Sequence, residues 1–201
     1  MSLAKPIFHL LAGPNGAGKS TLYRALVSTG GVSSALEFIN ADLYEQSHLQ
    51  HIVDLQARTE AARDWADNRR DALLNASASF VSETVFSHDS KLALITKAQA
   101  IGFDVILYLV SVDDPQRLLA RVAQRVREGG HHVPADRILQ RYPRTMTNLK
   151  KAVRLADLAF IYDAVQTEQG AHVLTAMCEK TQTSLLVSKP PAWVDMLLIR
   201  D

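Results

Sequence analysis

The chain has 201 residues, of which 47% are hydrophobic and 21% are charged, and its formal net charge at pH 7 is +1. This length predicts one α/β domain over residues 1–201, and no run approaches the roughly eighteen apolar residues of a membrane span. The single cysteine, Cys178, excludes an intrachain disulfide or a multi-cysteine metal site, and no secretory signal precedes the first apolar run. These features predict a cytoplasmic protein with no membrane partner.

A phosphate-binding pattern follows the first apolar run. Residues 13–20 read Gly-Pro-Asn-Gly-Ala-Gly-Lys-Ser and fit G-x-x-x-x-G-K-[ST], between a predicted strand at 6–12 and a predicted helix from Ser20. The backbone N–H groups of such a loop and helix form a concave site for phosphate oxygens, with Lys19 at the outer phosphates and the Ser20 hydroxyl on Mg²⁺. A glycine-rich turn without a ligand is the alternative, which the strand and helix disfavour. The predicted ATP-binding residues are Gly13, Asn15, Gly16, Ala17, Gly18, Lys19, Ser20 and Thr21.

The second predicted strand, at 36–40, ends just before Asp42. An acidic residue beyond the carboxyl end of a strand lies on the ligand-binding edge of a parallel sheet, although Asp is also a favoured helix N-cap. Both roles remain open. The region 43–76 predicts one long helix or two, on which His48 and His51 indicate a solvated face rather than a metal site.

The third predicted strand, at 79–87, turns polar at Glu83 and Thr84. A carboxylate within a strand is costly unless it is paired or lies at the sheet edge, so Glu83 is either a pocket residue or an exposed one. A near-continuous apolar run at 103–110 predicts a fourth, buried parallel strand.

Arginine is concentrated in one segment. Residues 117–154 carry a net charge of +8, and the rest of the chain carries −7. Two predicted helices repeat arginine on one face, at 117, 121 and 125 and again at 137, 141 and 144, with a glycine-containing break at 129–134. This arrangement favours a lid over a compact anion at about residues 115–154 rather than an ordinary solvated face, and the segment contains no nucleic-acid-binding module.

The fifth predicted strand, 158–163, ends in Asp163, which competes with Asp42 as the magnesium-side carboxylate. Segments 172–177 and 184–187 are candidate short strands, and Trp193 anchors the terminal segment. The predicted fold is a three-layer α/β P-loop NTPase fold. It has a central five-stranded parallel sheet flanked by helices, and an arginine-rich helical lid.

Taken together, these residues resemble the zeta-toxin family and its smaller bacterial relatives. The resemblance spans about residues 7–163 and rests on the phosphate loop, on Ile39-Asn40-Ala41-Asp42, on Glu83-Thr84, and on Gly-Gly-His with Val-Pro at 129–134 followed by Arg141-Tyr142. It implies a kinase that uses ATP and Mg²⁺. The characterised toxins phosphorylate UDP-N-acetylglucosamine, and an antitoxin is the implied protein partner.

The resemblance also implies roles for individual residues. Asp42 is similar to the general base, Glu83 with Thr84 to the substrate-contacting pair, and Arg121, Arg125 and Arg141 to the lid arginines. Asp163-Ala164-Val165 departs from the Asp-Asn-Ser of many relatives.

Two classes of function remain after the sequence is read. The first is a small-molecule kinase that transfers the γ-phosphoryl group of ATP to a metabolite hydroxyl. The second is a nucleotide-regulated binding protein, in which ATP organises a surface for a partner. A transporter-type ATPase and a GTPase are disfavoured, because the chain lacks Leu-Ser-Gly-Gly-Gln, Asp-x-x-Gly and Asn-Lys-x-Asp.

Overall fold

The protein forms one mixed sheet with helices on both faces. The computed structural model describes residues 4–127, 134–164, 172–180 and 182–199, except for the Arg125 side chain. The strands are β1 (Ile7–Ala12), β2 (Glu37–Ile39), β3 (Phe80–Thr84), β4 (Asp104–Ser111), β5 (Leu158–Asp163), β6 (Val173–Glu179) and β7 (Gln182–Leu185). The helices are α1 (Lys19–Ser28), α2 (Ala41–His48), α3 (Leu55–Asn75), α4 (Ser90–Ala100), α5 (Pro115–Arg127), α6 (Ala135–Leu155) and α7 (Ala192–Leu198).

The sheet order is β2-β3-β1-β4-β5-β6-β7, with β1 at the third position. The first five strands in this order are parallel, as predicted, and β6 and β7 continue the sheet in antiparallel fashion. The predicted strand count of five was therefore too low. The last two strands overlap the segments 172–177 and 184–187 that sequence patterning had left as candidates, and β7 becomes the edge of the sheet.

Side-chain alternation along β1 divides the core into two clusters. Phe8, Leu10 and Ala12 belong to one cluster, and Leu11 belongs to the other. This alternation follows from the two-residue period of a strand. The first cluster includes residues of α3, α4, α6 and α7, whereas the second includes residues of α1 and α5. The predicted three-layer α/β fold is thus confirmed.

Helix α6 contributes to both clusters. Ile138, near its beginning, lies in the cluster with α5, whereas Leu149 and Ala152 lie in the opposite cluster. The helix contacts α4 and α7, and its second half bonds to Gln99 of α4 through the Leu155 carbonyl oxygen. That half is consequently part of the packed scaffold, although the predicted lid extends to residue 154. The glycine-containing hinge predicted at 129–134 lies outside the described residues except for Pro134. Within the described ranges, no helix is both long and apolar enough to cross a membrane.

Candidate phosphate and phosphoryl-transfer site

The loop between β1 and α1 packs closely against two backbone segments. A Cβ atom added to Gly13 would lie 2.1 Å from the Val110 carbonyl oxygen, and one on Gly16 would lie 2.6 Å from the Leu118 carbonyl oxygen. Gly16 also has a φ of +82°, a left-handed conformation that side chains disfavour. The two glycines are therefore required by close backbone approach to β4 and α5, not only by the turn itself.

The loop ends at the N-terminus of α1. Gly18 is the N-cap, and no side chain caps the first turn. The first N–H groups of a helix have no intrahelical partners and carry a partial positive charge, so this end suits an anion. Of the other predicted ATP-binding residues, Ala17 is fully buried, Asn15 is half-buried and Thr21 is exposed, with its hydroxyl accepting from Arg24 at 3.3 Å.

Lys19 is the buried cation of the loop. Its side chain is 5% exposed, and its Nζ lies 3.2 Å from the Pro14 carbonyl oxygen and 3.5 Å from Glu83 Oε1. A buried ammonium group is costly unless it is paired and hydrogen-bonded. The Glu83 carboxylate provides that pairing from the neighbouring strand β3.

Glu83 connects three elements. Its Oε2 accepts a hydrogen bond from Ser20 Oγ at 3.0 Å and another from Asn40 Nδ2 at 2.8 Å, while Oε1 faces Lys19. The parallel register places Glu83 beside Leu11 of β1, close to where the loop begins. Sequence reasoning treated Glu83 as a substrate contact or an exposed carboxylate, and in the structure it lies against the loop.

Asn40 is a site residue that sequence reasoning did not single out. Its side-chain oxygen accepts from Leu43 N at 3.1 Å and so caps α2, while its amide donates to Glu83. The available signal was an Asn between a predicted strand and a predicted helix, which is a typical N-cap position. The alternative of Asp42 as the N-cap was wrong, because Asn40 occupies that position.

Asp42 lies in the first turn of α2, two residues beyond that cap, and is half-exposed. Thr84 ends β3 next to Glu83, is also half-exposed, and accepts from Phe86 N at 3.4 Å. Asp42 therefore follows β2 and Thr84 ends β3, and both strands end on the loop side of the sheet. The structure thus places Asp42 and Thr84 on the same side of β1 as Glu83.

Asp163 lies at the same edge of the sheet but at the end of β5, on the opposite side of β1 from Glu83. Its Oδ1 accepts from Trp193 Nε1 at 2.9 Å, and it pairs in register with Ser111 of β4. Burial raises the pKa of Asp163, an effect opposed by the Trp193 hydrogen bond and by the nearby charges of Arg117 and Arg121. Asp163 thus links β5 to α7, whereas Glu83 is the carboxylate bonded to Ser20.

The predicted lid arginines lie on two helices. Arg121 of α5 donates to the Ala164 carbonyl oxygen at 2.7 Å, and Arg141 of α6 is half-buried. Burial, followed by the charges of Arg137, Arg63 and Arg144, lowers the pKa of Arg141. The Arg125 side chain lies outside the described residues. Arg63, on α3, is an addition that sequence reasoning missed, because only the tertiary fold brings its charge close to α6.

His172 is a second residue that the sequence gave no reason to select. It directly precedes β6 and lies against the phosphate loop, with Nε2 at 2.8 Å from the position of a Cβ atom on Gly18. The two flanks of the loop therefore differ. Glu83 and Asn40 lie on the β3 side, while Arg121 and His172 lie on the side of β5 and β6.

A glycine loop between a parallel strand and a helix N-terminus, with a buried lysine and a serine–carboxylate pair beside it, defines a P-loop nucleotide-binding protein. The chain belongs to the zeta-toxin family, whose sequence pattern it matches over residues 1–174. A search of curated proteins finds no significant match.

Solved structures show the same fold at low identity. The native AvrRxo1-ORF1:-ORF2 complex contains a chain with a TM-score of 0.66 and 18% identity, matched over 90% of this chain and 61% of that one. A chain of the PezAT chromosomal toxin–antitoxin system of Streptococcus pneumoniae has a TM-score of 0.61 and 16% identity, matched over 86% of this chain and 72% of that one. A chain of the Pnkp1/Rnl/Hen1 RNA repair complex has a TM-score of 0.58 and 18% identity, matched over 75% of this chain and 47% of that one. The protein thus spans less than two thirds of the AvrRxo1 chain that it matches.

The Asn40–Glu83 contact yields a stability prediction. Asn40→Asp keeps a capping oxygen but replaces the amide donor with a second carboxylate against Glu83. Like charges at this distance raise the pKa of one carboxyl group in the folded state. The free energy of unfolding should therefore fall by about 2 kcal/mol at pH 7 and recover as the pH approaches about 4.

Urea denaturation at both pH values measures this difference. Asn40→Ser is the matched control, because it retains a capping oxygen without adding charge. If Asn40→Asp lowers the free energy of unfolding equally at the two pH values, the electrostatic explanation is contradicted.

Proposed function

We propose that this chain is an ATP-dependent phosphotransferase that moves the γ-phosphoryl group of ATP to a hydroxyl group of a small metabolite. The observation that carries the proposal is the joining of Lys19 and Ser20 of the loop to Glu83. Phosphoryl transfer depends mainly on positioning and on neutralising phosphate charge. The loop, its buried lysine and an adjacent carboxylate supply groups of that kind, and family membership supports the assignment.

The residues beside the loop fit Mg²⁺. Ser20 Oγ and Glu83 Oε2 lie 3.0 Å apart and are both oxygen donors, and Mg²⁺ is typically held by one or two protein oxygens together with substrate phosphates and water. Ser20 would bind the ion directly, and Glu83 is the carboxylate best placed on that side. When bound, Mg²⁺ would offset the negative charge of the phosphates. Glu83 thereby replaces both Asp42 and Asp163 as our candidate for the magnesium-side carboxylate.

Asp42 is then available for the acceptor. It lies near the start of α2, half-exposed, and no hydrogen bond of the cap requires it. A carboxylate there can orient the acceptor hydroxyl and take its proton during phosphoryl transfer. Thr84, next to Glu83, is our candidate for a second acceptor contact.

The arginines of α5 and α6 are proposed to form the lid. Arg141 lies among three other arginine charges, and such a cluster is costly until an anion neutralises it. Arg121 is anchored on the Ala164 carbonyl oxygen, so it would act from the β5 side of the loop. Arg125 belongs to the same proposal through the sequence pattern alone.

The acceptor and the protein partner are finer proposals. A nucleotide sugar such as UDP-N-acetylglucosamine is the first acceptor to test, because the family resemblance suggests it. An antitoxin is the corresponding protein partner, supported by similarity of fold to a chain of the PezAT toxin–antitoxin system. A cytoplasmic location and the absence of nucleic-acid and membrane partners remain predictions.

The direct test incubates the protein with Mg-ATP and a panel of hydroxyl metabolites that includes UDP-sugars, and follows new phosphorylated products by mass spectrometry. We expect one acceptor class to gain a phosphoryl group. Lys19→Ala is the inactive control, since it removes the buried cation that neutralises the outer phosphates. Tight ATP binding without any product would instead favour the nucleotide-regulated binding protein.

A second prediction separates the carboxylates. Asp42→Asn keeps the size of the side chain but removes its basicity, so kcat should fall at least about a hundredfold while ATP affinity is kept. Asp64→Asn, an exposed change on α3, is the matched control. An inactive Asp163→Asn variant with a normal melting temperature, together with an active Asp42→Asn variant, would overturn the assignment.

A third prediction concerns the lid. Arg141→Lys keeps the charge but loses the planar group that grips two oxygens, so kcat should fall by about tenfold or more. Arg154→Lys is the control on the same helix, because Arg154 donates to the Ile199 carbonyl oxygen instead. Equal turnover in wild type and Arg141→Lys would show that the arginine cluster is an ordinary solvated helix face. Thermal unfolding of both variants checks that the fold is retained.

A further inference from the structure

The antiparallel extension of the sheet returns the chain to the phosphate loop. Val173, the first residue of β6, pairs with Asp163, the last residue of β5. This register places the preceding residue, His172, at the end of the sheet where the loop lies. A sheet of five parallel strands alone would bring no such side chain to this position.

The His172 ring fits closely against Gly18. A Cβ atom on Gly18 would lie 2.8 Å from Nε2 and 3.5 Å from Cε1, so the nitrogen is the ring atom nearest to that position. A side chain at position 18 would therefore displace the ring from this position. The ring atom at this contact is a nitrogen, the polar atom type through which an imidazole interacts with a backbone group.

Gly18 is the residue whose conformation directs the loop into α1. Its φ is +96°, in the left-handed region, and no side chain caps the helix that follows. The orientation of Gly18 therefore sets where the first N–H groups of α1 point. Those groups are the anion donors of this type of site.

The surroundings of the ring favour its neutral form. Burial and the charge of Arg121 lower the pKa of His172, while its contact with the Gly18 backbone acts in the opposite direction. A neutral imidazole can lie beside Arg121 without charge repulsion. Arg121 is itself fixed by the Ala164 carbonyl oxygen, one residue beyond β5.

We propose that His172 is a positioning residue for the phosphate-binding loop, which holds Gly18 in the conformation that aims the α1 N–H groups at the phosphates of the nucleotide. The inference rests on the proposed use of this loop as a phosphate site. It adds a residue from the second, antiparallel part of the sheet to a site otherwise formed by the parallel part.

The test measures the affinity of the full chain for Mg-ADP and for tripolyphosphate by calorimetry. His172→Ala should weaken both ligands by about tenfold, because a loop that is not preorganised must be ordered on binding. His172→Phe should behave in the same way, since it keeps a ring without a polar atom. His172→Gln, which restores a polar group at a similar reach, should bind within about threefold of wild type. His51→Ala, an exposed histidine change, is the control.

The two ligands distinguish positioning from direct contact. If ADP weakens and tripolyphosphate does not, His172 contacts the nucleoside and the positioning role is overturned. Unchanged affinity of both ligands in the Ala or Phe variants overturns it too, and leaves the proposed kinase function intact. Failure of the wild-type protein to bind either ligand would overturn both proposals. Melting temperatures identify the variants that fold. If His172→Ala does not fold, His172→Phe alone is sufficient for the test.

Discussion

The carboxylate of Glu83 is the interaction on which the candidate site depends. It joins the loop lysine and serine to Asn40, and through Asn40 to the cap of α2. Lys19 is almost fully buried, and an unpaired ammonium group in that position would be strongly destabilising. One side chain of β3 thus stabilises the loop, orients the hydroxyl beside it and fixes the start of the helix that carries Asp42.

This arrangement is possible because β1 lies between β3 and β4. On one side, the parallel register brings Glu83 beside Leu11 and Thr84 beside Ala12. On the other side, β4 brings the Val110 carbonyl oxygen so close to Gly13 that only hydrogen fits there. The carboxyl ends of parallel strands meet at one edge of a sheet, so a short loop after the inner strand contacts both of its neighbours. The geometry of the candidate phosphate site is therefore a consequence of strand order.

The two flanks of the loop have opposite character. Glu83 and Asp42 make the β2–β3 side acidic, which suits a metal ion and the activation of a hydroxyl group. Arg121 and the half-buried Arg141 belong to helices that follow β4, and they supply positive charge. Under the proposed function, the carboxylates would face the metal ion and the acceptor hydroxyl, whereas the arginines would face the phosphates. The net charge of +1 conceals this division, since a +8 segment is balanced by a chain remainder of −7.

The sequence by itself determined the local elements of this protein. The glycine pattern located the loop, the apolar runs located the five parallel strands, and the arginine spacing located one face on each of two helices. Each of these signals depends on residues close in the chain, where periodicity and backbone preference act directly. Asn40 was also within reach of such reasoning, because an Asn between a strand and a helix has a capping preference of its own.

Only the tertiary structure decided which of these residues meet. Glu83 joins Lys19 and Ser20 across 63 or more positions of sequence, while Asp163 is instead bound to Trp193. Both outcomes depend on strand order and on the packing of α7, which no local pattern specifies. The approach of Arg63 to Arg141 and the return of His172 to Gly18 have the same origin. Contacts between distant residues follow from burying the whole core at once, so their partners are determined by the fold and not by their neighbours in the chain.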